Sequence, residues 1–170
     1  MMQLLPALNA GGVERSTLEI GAALVAAGHR SVVVSAGGRQ VEQLLAQGSE
    51  HVALDIGRKS VFALRHVGAL RRLFADLKPD IVHARSRLPA WLAWRALRKP
   101  AASKTHFVTT VHGLNSPGWY SAIMTRGERV ICVSNAVRDH VLRHYPHIAP
   151  ARLTVIPRGV DPTEFPFGYA

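Results

Sequence analysis

Two adjacent glycines, Gly11 and Gly12, lie early in the segment LNAGGVERSTLEIGAALVAAGH (Leu8–His29). Behind them Leu18, Ala22 and Val25 recur at i, i+4 and i+7, with Ile20, Leu24 and Ala27 alongside, which is helical periodicity. Gly28 stands where a left-handed cap ends such a helix, and SVVVSA (Ser31–Ala36) then reads as a buried strand. MMQLLPAL, before the glycines, is apolar enough for a first strand. Glycine at a strand–helix turn lets the backbone approach a ligand, and the helix N-terminus offers free N–H groups to an anion. A tight turn chosen for geometry alone is the competing reading.

Other residue types able to do chemistry are scattered. His112 follows HFVTTV and precedes Gly113, so it either faces a ligand or is held structurally by a backbone carbonyl. Arg85 and Arg87 follow DIVHA (Asp80–Ala84) and are expected to meet an anionic ligand. In ARSRLPAWLAWRALRK, the neighbouring Trp91 and Trp94 with Arg95, Arg98 and Lys99 would suit a headgroup interface. Packing of both tryptophans on the sheet is the expected arrangement. His140, His144 and His147 are spaced by four and three, but no Glu or Cys motif accompanies them, and no metal is expected. Glycoside hydrolysis needs two placed carboxylates, and few of the 11 acidic residues fall at strand ends. Glu42 and Glu50 have an E-x7-E spacing.

These residues need elements to position them. QVEQLLAQG (Gln40–Gly48) reads as a short helix, HVALDI (His51–Ile56) as a strand and Ser60–Lys78 as a long helix. On that helix Phe62, Val67, Leu70, Leu73, Phe74 and Leu77 form an apolar arc, opposite Arg65, Arg71, Arg72, Asp76 and Lys78. DIVHA is a strand, and LPAWLAWRALRK (Leu88–Lys99) is a helix with Pro89 near its first position and Pro100 at its end. HFVTTVH is a strand, with a short helix near Tyr120–Thr125. RVICVS, NAVRDHVLRHY and LTVIP then read as strand, helix and strand. Alternating strands and helices, with strands apolar throughout, imply an α/β fold: a Rossmann-like parallel sheet with helices on both faces. Such sheets bind ligands beyond the carboxyl ends of their strands. The rule selects Gly11–Gly12, Arg85–Arg87, His112–Gly113, Ser134–Asn135 and Arg158–Asp161.

Composition narrows the partner. The 170 residues, 48% hydrophobic and 19% charged, suit a single globular domain. No apolar run approaches a membrane span, and the start lacks the features of a signal peptide. Cys132 is the single cysteine, expected as a buried thiol within RVICVS, which suits a reducing cytoplasm. With 21 Lys and Arg against 11 Asp and Glu, the formal charge is +10, and the sequence pI is near 11.0. An anionic partner is implied: nucleic acid, anionic lipid or a phosphorylated small molecule.

Taken in order, GGVERSTLEIGAALVAAGH, DIVHARSRLPA, TTVHG, RVICVSNAVRDHV and RLTVIPRGVDPTEF resemble the N-terminal domain of family-4-type retaining glycosyltransferases of the GT-B fold, from about Leu4 to Phe165. The resemblance implies two Rossmann-like domains facing across a cleft, the N-terminal one holding the acceptor and the C-terminal one the nucleotide-sugar donor. It makes residues 1–157 the acceptor-binding domain and 158–170 the start of a linker to a donor-binding domain. By the same resemblance Gly11 and Gly12 lie near the donor diphosphate, His112 lies near the transferred sugar, and Ser134 and Asn135 face the acceptor. Arg85 and Arg87 would serve an anionic acceptor. Gly159, Val160 and Asp161 match the motif leading into the second domain, while Arg158 stands where Asn is commoner. The family's own E-x7-E belongs to the C-terminal domain, so the Glu42–Glu50 spacing is coincidental.

The implied reaction moves a sugar, with retention, from a nucleotide diphosphate sugar to a glycan or lipid-linked acceptor such as a phosphorylated lipopolysaccharide core. The place would be the cytoplasm, at the inner face of an anionic membrane, with no cofactor and no metal. Two other classes stay open. A Rossmann domain binding a nucleotide or dinucleotide would share the sheet, although AGGVER lacks G-x-G-x-x-G and no acid closes SVVVSAGG. A basic nucleic-acid-binding module would share the charge, without a recognition motif, so no specific nucleic acid is expected as partner.

Overall fold

The computed structural model describes residues 1–58, 61–98 (backbone alone for 61 and 62) and 104–159. Within them the order is β1 (Met2–Leu4), α1 (Gly12–Ala26), β2 (Val32–Ser35), α2 (Val41–Ala46), β3 (Glu50–Ala53), α3 (Arg65–Leu77), β4 (Ile81–Ala84), α4 (Arg87–Leu97), β5 (His106–Val111), β6 (Arg129–Cys132), α5 (Asn135–His144) and β7 (Leu153–Val155). Short 3-10 turns at Val61–Leu64, Ser121–Thr125 and Pro150–Arg152 fill the joints. All seven strands are parallel, in the order β3-β2-β1-β4-β5-β6-β7. The α/β reading from the sequence is therefore the observed architecture.

The sheet grows in one direction from β1 to β3 and in the other from β4 to β7. Right-handed crossovers then place α1 and α2 on one face, and α3, α4 and α5 on the other. Side-chain alternation agrees. Val33 joins Leu5, Leu8, Leu18 and Leu44 beneath α1 and α2. Its neighbours Val32 and Val34 belong to the larger core with Met2, Leu4, Leu70, Phe74 and Val82. The buried thiol of Cys132 lies in that larger core, where burial pushes its pKa up.

Several boundaries differ from the sequence expectation, each for a local reason. β3 is an edge strand paired only with β2 and ends at Ala53, so Leu54–Ile56 leave the ladder, although Ile56 remains buried. The long helix starts with 3-10 geometry and becomes α3 at Arg65. It stops where Lys78 takes a left-handed conformation (φ 43°) just before Pro79. Val67, Leu70 and Phe74 are buried as the apolar arc requires, while the side chain of Phe62 lies outside the described residues. Arg71 departs from the outward set: it is half-buried, and its Nη2 donates to the Arg95 carbonyl at 3.3 Å, tying α3 to α4. Pro89 is the third residue of α4, whose cap residue is Ser86 in an extended conformation. Lys99 and Pro100 lie outside the described residues.

Candidate functional site

The strand order reverses between β1 and β4, so a crevice opens beyond the carboxyl ends of these two neighbours. From β1 the chain reaches this edge at Gly11, whose φ of 145° and ψ of 169° are open only to glycine. Gly11 caps α1 through its carbonyl, which accepts from Arg15 N at 3.0 Å, and makes no side-chain cap, while Glu14 stands in the first turn beside it. The N-terminus of α1 thus presents backbone N–H groups and a positive dipole end to the crevice.

From β7, at the far end of the sheet, the chain brings Arg158 to the same place. Its guanidinium lies so close to Gly12 that a Cβ there would collide with Nη1. Through Nη2 it donates to His112 Nδ1 at 2.7 Å. A guanidinium can only donate, so Nδ1 is the acceptor and the neutral ring carries its proton on Nε2. That Nε2 is shut from solvent and has no hydrogen-bond partner among the described residues. Burial, then the charges of Arg85 and Arg158, lower the His112 pKa to about 3.

Arg85 takes a different course from the one expected. It is 3% exposed and turned inward, donating to Gln3 Oε1 at 3.0 Å and to Ser16 Oγ. Its charge still reaches the edge. Burial first, and then repulsion from Arg158, lower its pKa to about 10, against support from Glu19 and Glu14. His83, two residues earlier on β4, is bonded through Nε2 to Thr110 Oγ1 at 2.7 Å and is held neutral by burial, its pKa about 3. The edge therefore combines two guanidinium charges, two uncharged imidazoles and a helix N-terminus. An anion is its natural complement.

The remaining candidates are placed less directly. Ser134 caps α5, its Oγ accepting from Val137 N at 3.2 Å, and Asn135 is exposed at the start of that helix. Arg87 leaves the edge for the loop beyond β5, reaching Ser121 Oγ at 3.3 Å and lying 5.3 Å from the Tyr120 ring centroid. Val160 and Asp161 are outside the described residues, as is the segment 160–170. Beside the glycines, a groove of about 390 Å³ runs between α1 and α2, lined by Gly11, Gly12, Arg15, Gln40 and Gln43 among others. Glu50 is ion-paired with Arg30 at 2.6 Å at the start of β3, and Glu42 is on α2. His140 donates through Nε2 to the Asn115 carbonyl at 2.9 Å, and its ring lies 4.5 Å from that of His144. Among the described residues no three His, Cys, Asp or Glu side chains converge as a metal site. At the end of β2, Ser35 bonds His51 Nε2 and Gly37 N, and no acid stands there for a dinucleotide ribose.

A profile of Glycosyltransferase Family 4 matches residues 10–164. The chain belongs to that family. A glycosyltransferase crystal structure from Rickettsia africae superposes with a TM-score of 0.82 at 34% identity, over 97% of this chain and 44% of that one. A human phosphatidylinositol N-acetylglucosaminyltransferase subunit is 28% identical over 174 residues, which is 92% of this chain and 35% of the human one. The fold is shared more distantly with Anabaena HepE, crystallised with UDP and glucose: TM-score 0.74, 16% identity, 95% of this chain and 45% of HepE. The chain spans less than half the length of these relatives. Within this glycosyltransferase family the fold is that of the N-terminal Rossmann-like half of GT-B enzymes. Arg158 joins this candidate site through His112 and Gly12, contacts that its position in the sequence does not disclose. Its departure from the common Asn was the available signal.

Proposed function

We propose that this chain is the acceptor-side domain of a retaining glycosyltransferase. The parent protein transfers a sugar from a nucleotide diphosphate sugar to a glycan or lipid-linked acceptor, such as a phosphorylated lipopolysaccharide core, at the inner face of a membrane. The observation that carries the reading is the meeting of the α1 N-terminus, Arg158 and His112 at one edge of the sheet. Gly11 and Gly12 let the backbone close on the donor diphosphate, with Arg158 and the buried Arg85 supplying positive potential. The capture of UDP and glucose by a protein of the same fold supports this donor class.

The chemistry follows from what the edge can and cannot do. Neutral His112 is a hydrogen-bond donor through Nε2 and a poor proton source at neutral pH. Catalysis then rests on positioning and on stabilising the departing diphosphate, with the acceptor attacking from the leaving-group face. Ser134 and Asn135 border the acceptor path. Residues 158–170 lead into a donor-binding domain, so the 170-residue chain alone does not transfer sugar. The test is an assay of this chain and of the two-domain parent with a panel of nucleotide sugars, following the anomeric configuration of the product. Turnover by the parent alone, with retention, is expected. Turnover by the isolated chain would overturn the half-enzyme reading, and an inverted product would overturn the mechanism.

A further inference from the structure

We propose that the aromatic and arginine-rich face built by α4 and the loop after β5 docks onto an anionic phospholipid bilayer. All three tryptophans of the chain meet there. The Trp91 ring centroid lies 5.7 Å from that of Trp94 and 5.8 Å from that of Trp119. Trp91 Nε1 donates to the Tyr120 carbonyl at 3.1 Å, fastening the loop to the helix. Trp91 and Trp94 are half-buried against the core, as their helical spacing implies, but Trp119 is 78% exposed. A large indole held in water by neighbouring rings needs an explanation that core packing does not supply.

Charge says what covers it. Arg98 lies 4.7 Å and Arg126 5.9 Å from the Trp94 ring centroid, and Arg87 sits over Tyr120. No acidic residue occurs between Asp80 and Glu128, a stretch that contains Arg87, Arg95, Arg98, Lys104 and Arg126 besides the buried Arg85. Glu128 itself is engaged with His106 at 2.8 Å. Indoles flanked by arginines, with no carboxylate in the stretch of chain that carries them, match the headgroup level of a bilayer, where the rings sit among glycerol and acyl groups and the guanidinium groups meet phosphates. No helix among the described residues is long and apolar enough to cross a membrane, so attachment through this face is superficial. The helix that carries this face starts at Arg87, just beyond the carboxyl end of β4. Docking would present a lipid-linked acceptor to that edge. The inference rests on the membrane placement proposed above, and because vesicle binding is read without sugar transfer, its failure would leave the sugar-transfer reading intact.

Because the three tryptophans are in the patch, intrinsic fluorescence reports on it directly. The chain is titrated at low salt with vesicles of phosphatidylcholine, with or without phosphatidylglycerol, and with lipids brominated near the headgroup. A blue shift and shallow quenching are expected with the anionic vesicles only. Trp119→Ala should weaken binding roughly tenfold through lost apolar burial, whereas Trp119→Phe should stay within about threefold of wild type. Arg98→Ala and Arg126→Ala should each cost about fivefold. Arg65→Ala with Arg72→Ala, exposed on α3 outside the cluster, should cost less than about twofold because screening limits distant charges. Equal losses from the two arginine pairs would reduce the effect to net charge and overturn the proposal. So would unshifted fluorescence with anionic vesicles, or a shift produced by soluble oligosaccharides with no vesicle binding.

Discussion

Arg158 donates to His112 Nδ1 at 2.7 Å while its other terminal nitrogen fills the space above Gly12, so a residue beyond β7 fixes the tautomer of a histidine beyond β5. Removing the guanidinium takes away a hydrogen bond and a repelling charge together. Arg158→Ala should therefore raise the His112 pKa part of the way from about 3, burial and the Arg85 charge keeping it below 6.5, as measured by imidazole nitrogen NMR. An unchanged midpoint would mean that burial and the Arg85 charge hold the ring neutral without Arg158. The sign for stability follows from linkage. His112 and His83 both have folded pKa values below the unfolded 6.5, so the folded chain binds fewer protons between about 6.5 and about 3. Their stabilisation is fully present above pH 6.5 and is lost as pH falls through that window. Each imidazole contributes a slope of up to about 1.4 kcal/mol per pH unit. Denaturant titrations should show the wild type losing stability steeply on acidification, with the His112 share flattened in Arg158→Ala.

The two glycines should respond oppositely to alanine. At Gly11 an L residue must adopt φ 145°, which costs about 1–3 kcal/mol. Gly12 is within α1 and carries no positive φ, so alanine there should be neutral or stabilising by up to about 1 kcal/mol. Its methyl group displaces the Arg158 tip instead, and Gly12→Ala should shift the His112 titration in the same direction as Arg158→Ala, by less, in an intact fold. Chemical denaturation of both variants, with NMR of the second, separates the backbone role from the site role. Equal destabilisation by the two substitutions would contradict this division.

Arg85 and Arg87 should also separate. Arg85→Ala leaves Gln3 Oε1 without its buried donor and opens a cavity, at a cost of about 2–4 kcal/mol. Lysine should not restore it, because the two acceptors are met by different nitrogens of one planar fork. Arg87→Ala, half-exposed on Tyr120 and Ser121, should cost no more than about 1 kcal/mol. Thermal melts decide this, and a stable Arg85→Ala protein would return that residue to the direct ligand contacts.

The local pattern determined much of this protein. Period-3.6 arcs such as Val67, Leu70 and Phe74, apolar strand runs and punctuating Gly and Pro depend on residues within a few positions of each other. They carried the alternation of strands and helices, and the rule on strand ends carried the five loops of the carboxyl edge. The family was legible because its motifs lie in order along the chain, as the match over residues 10–164 shows. The direction of each long side chain was not. Arg85 turns inward because parallel pairing sets β4 beside β1 and under α1, where Gln3 and Ser16 wait 82 and 69 residues away in sequence. Arg158 meets His112 across 46 residues. Trp119 joins Trp91 only once the loop has folded back on α4. A guanidinium or indole after a strand has several rotamers open to it. Which one it takes depends on the polar groups and space that distant segments provide, and only the packed fold brings those segments together.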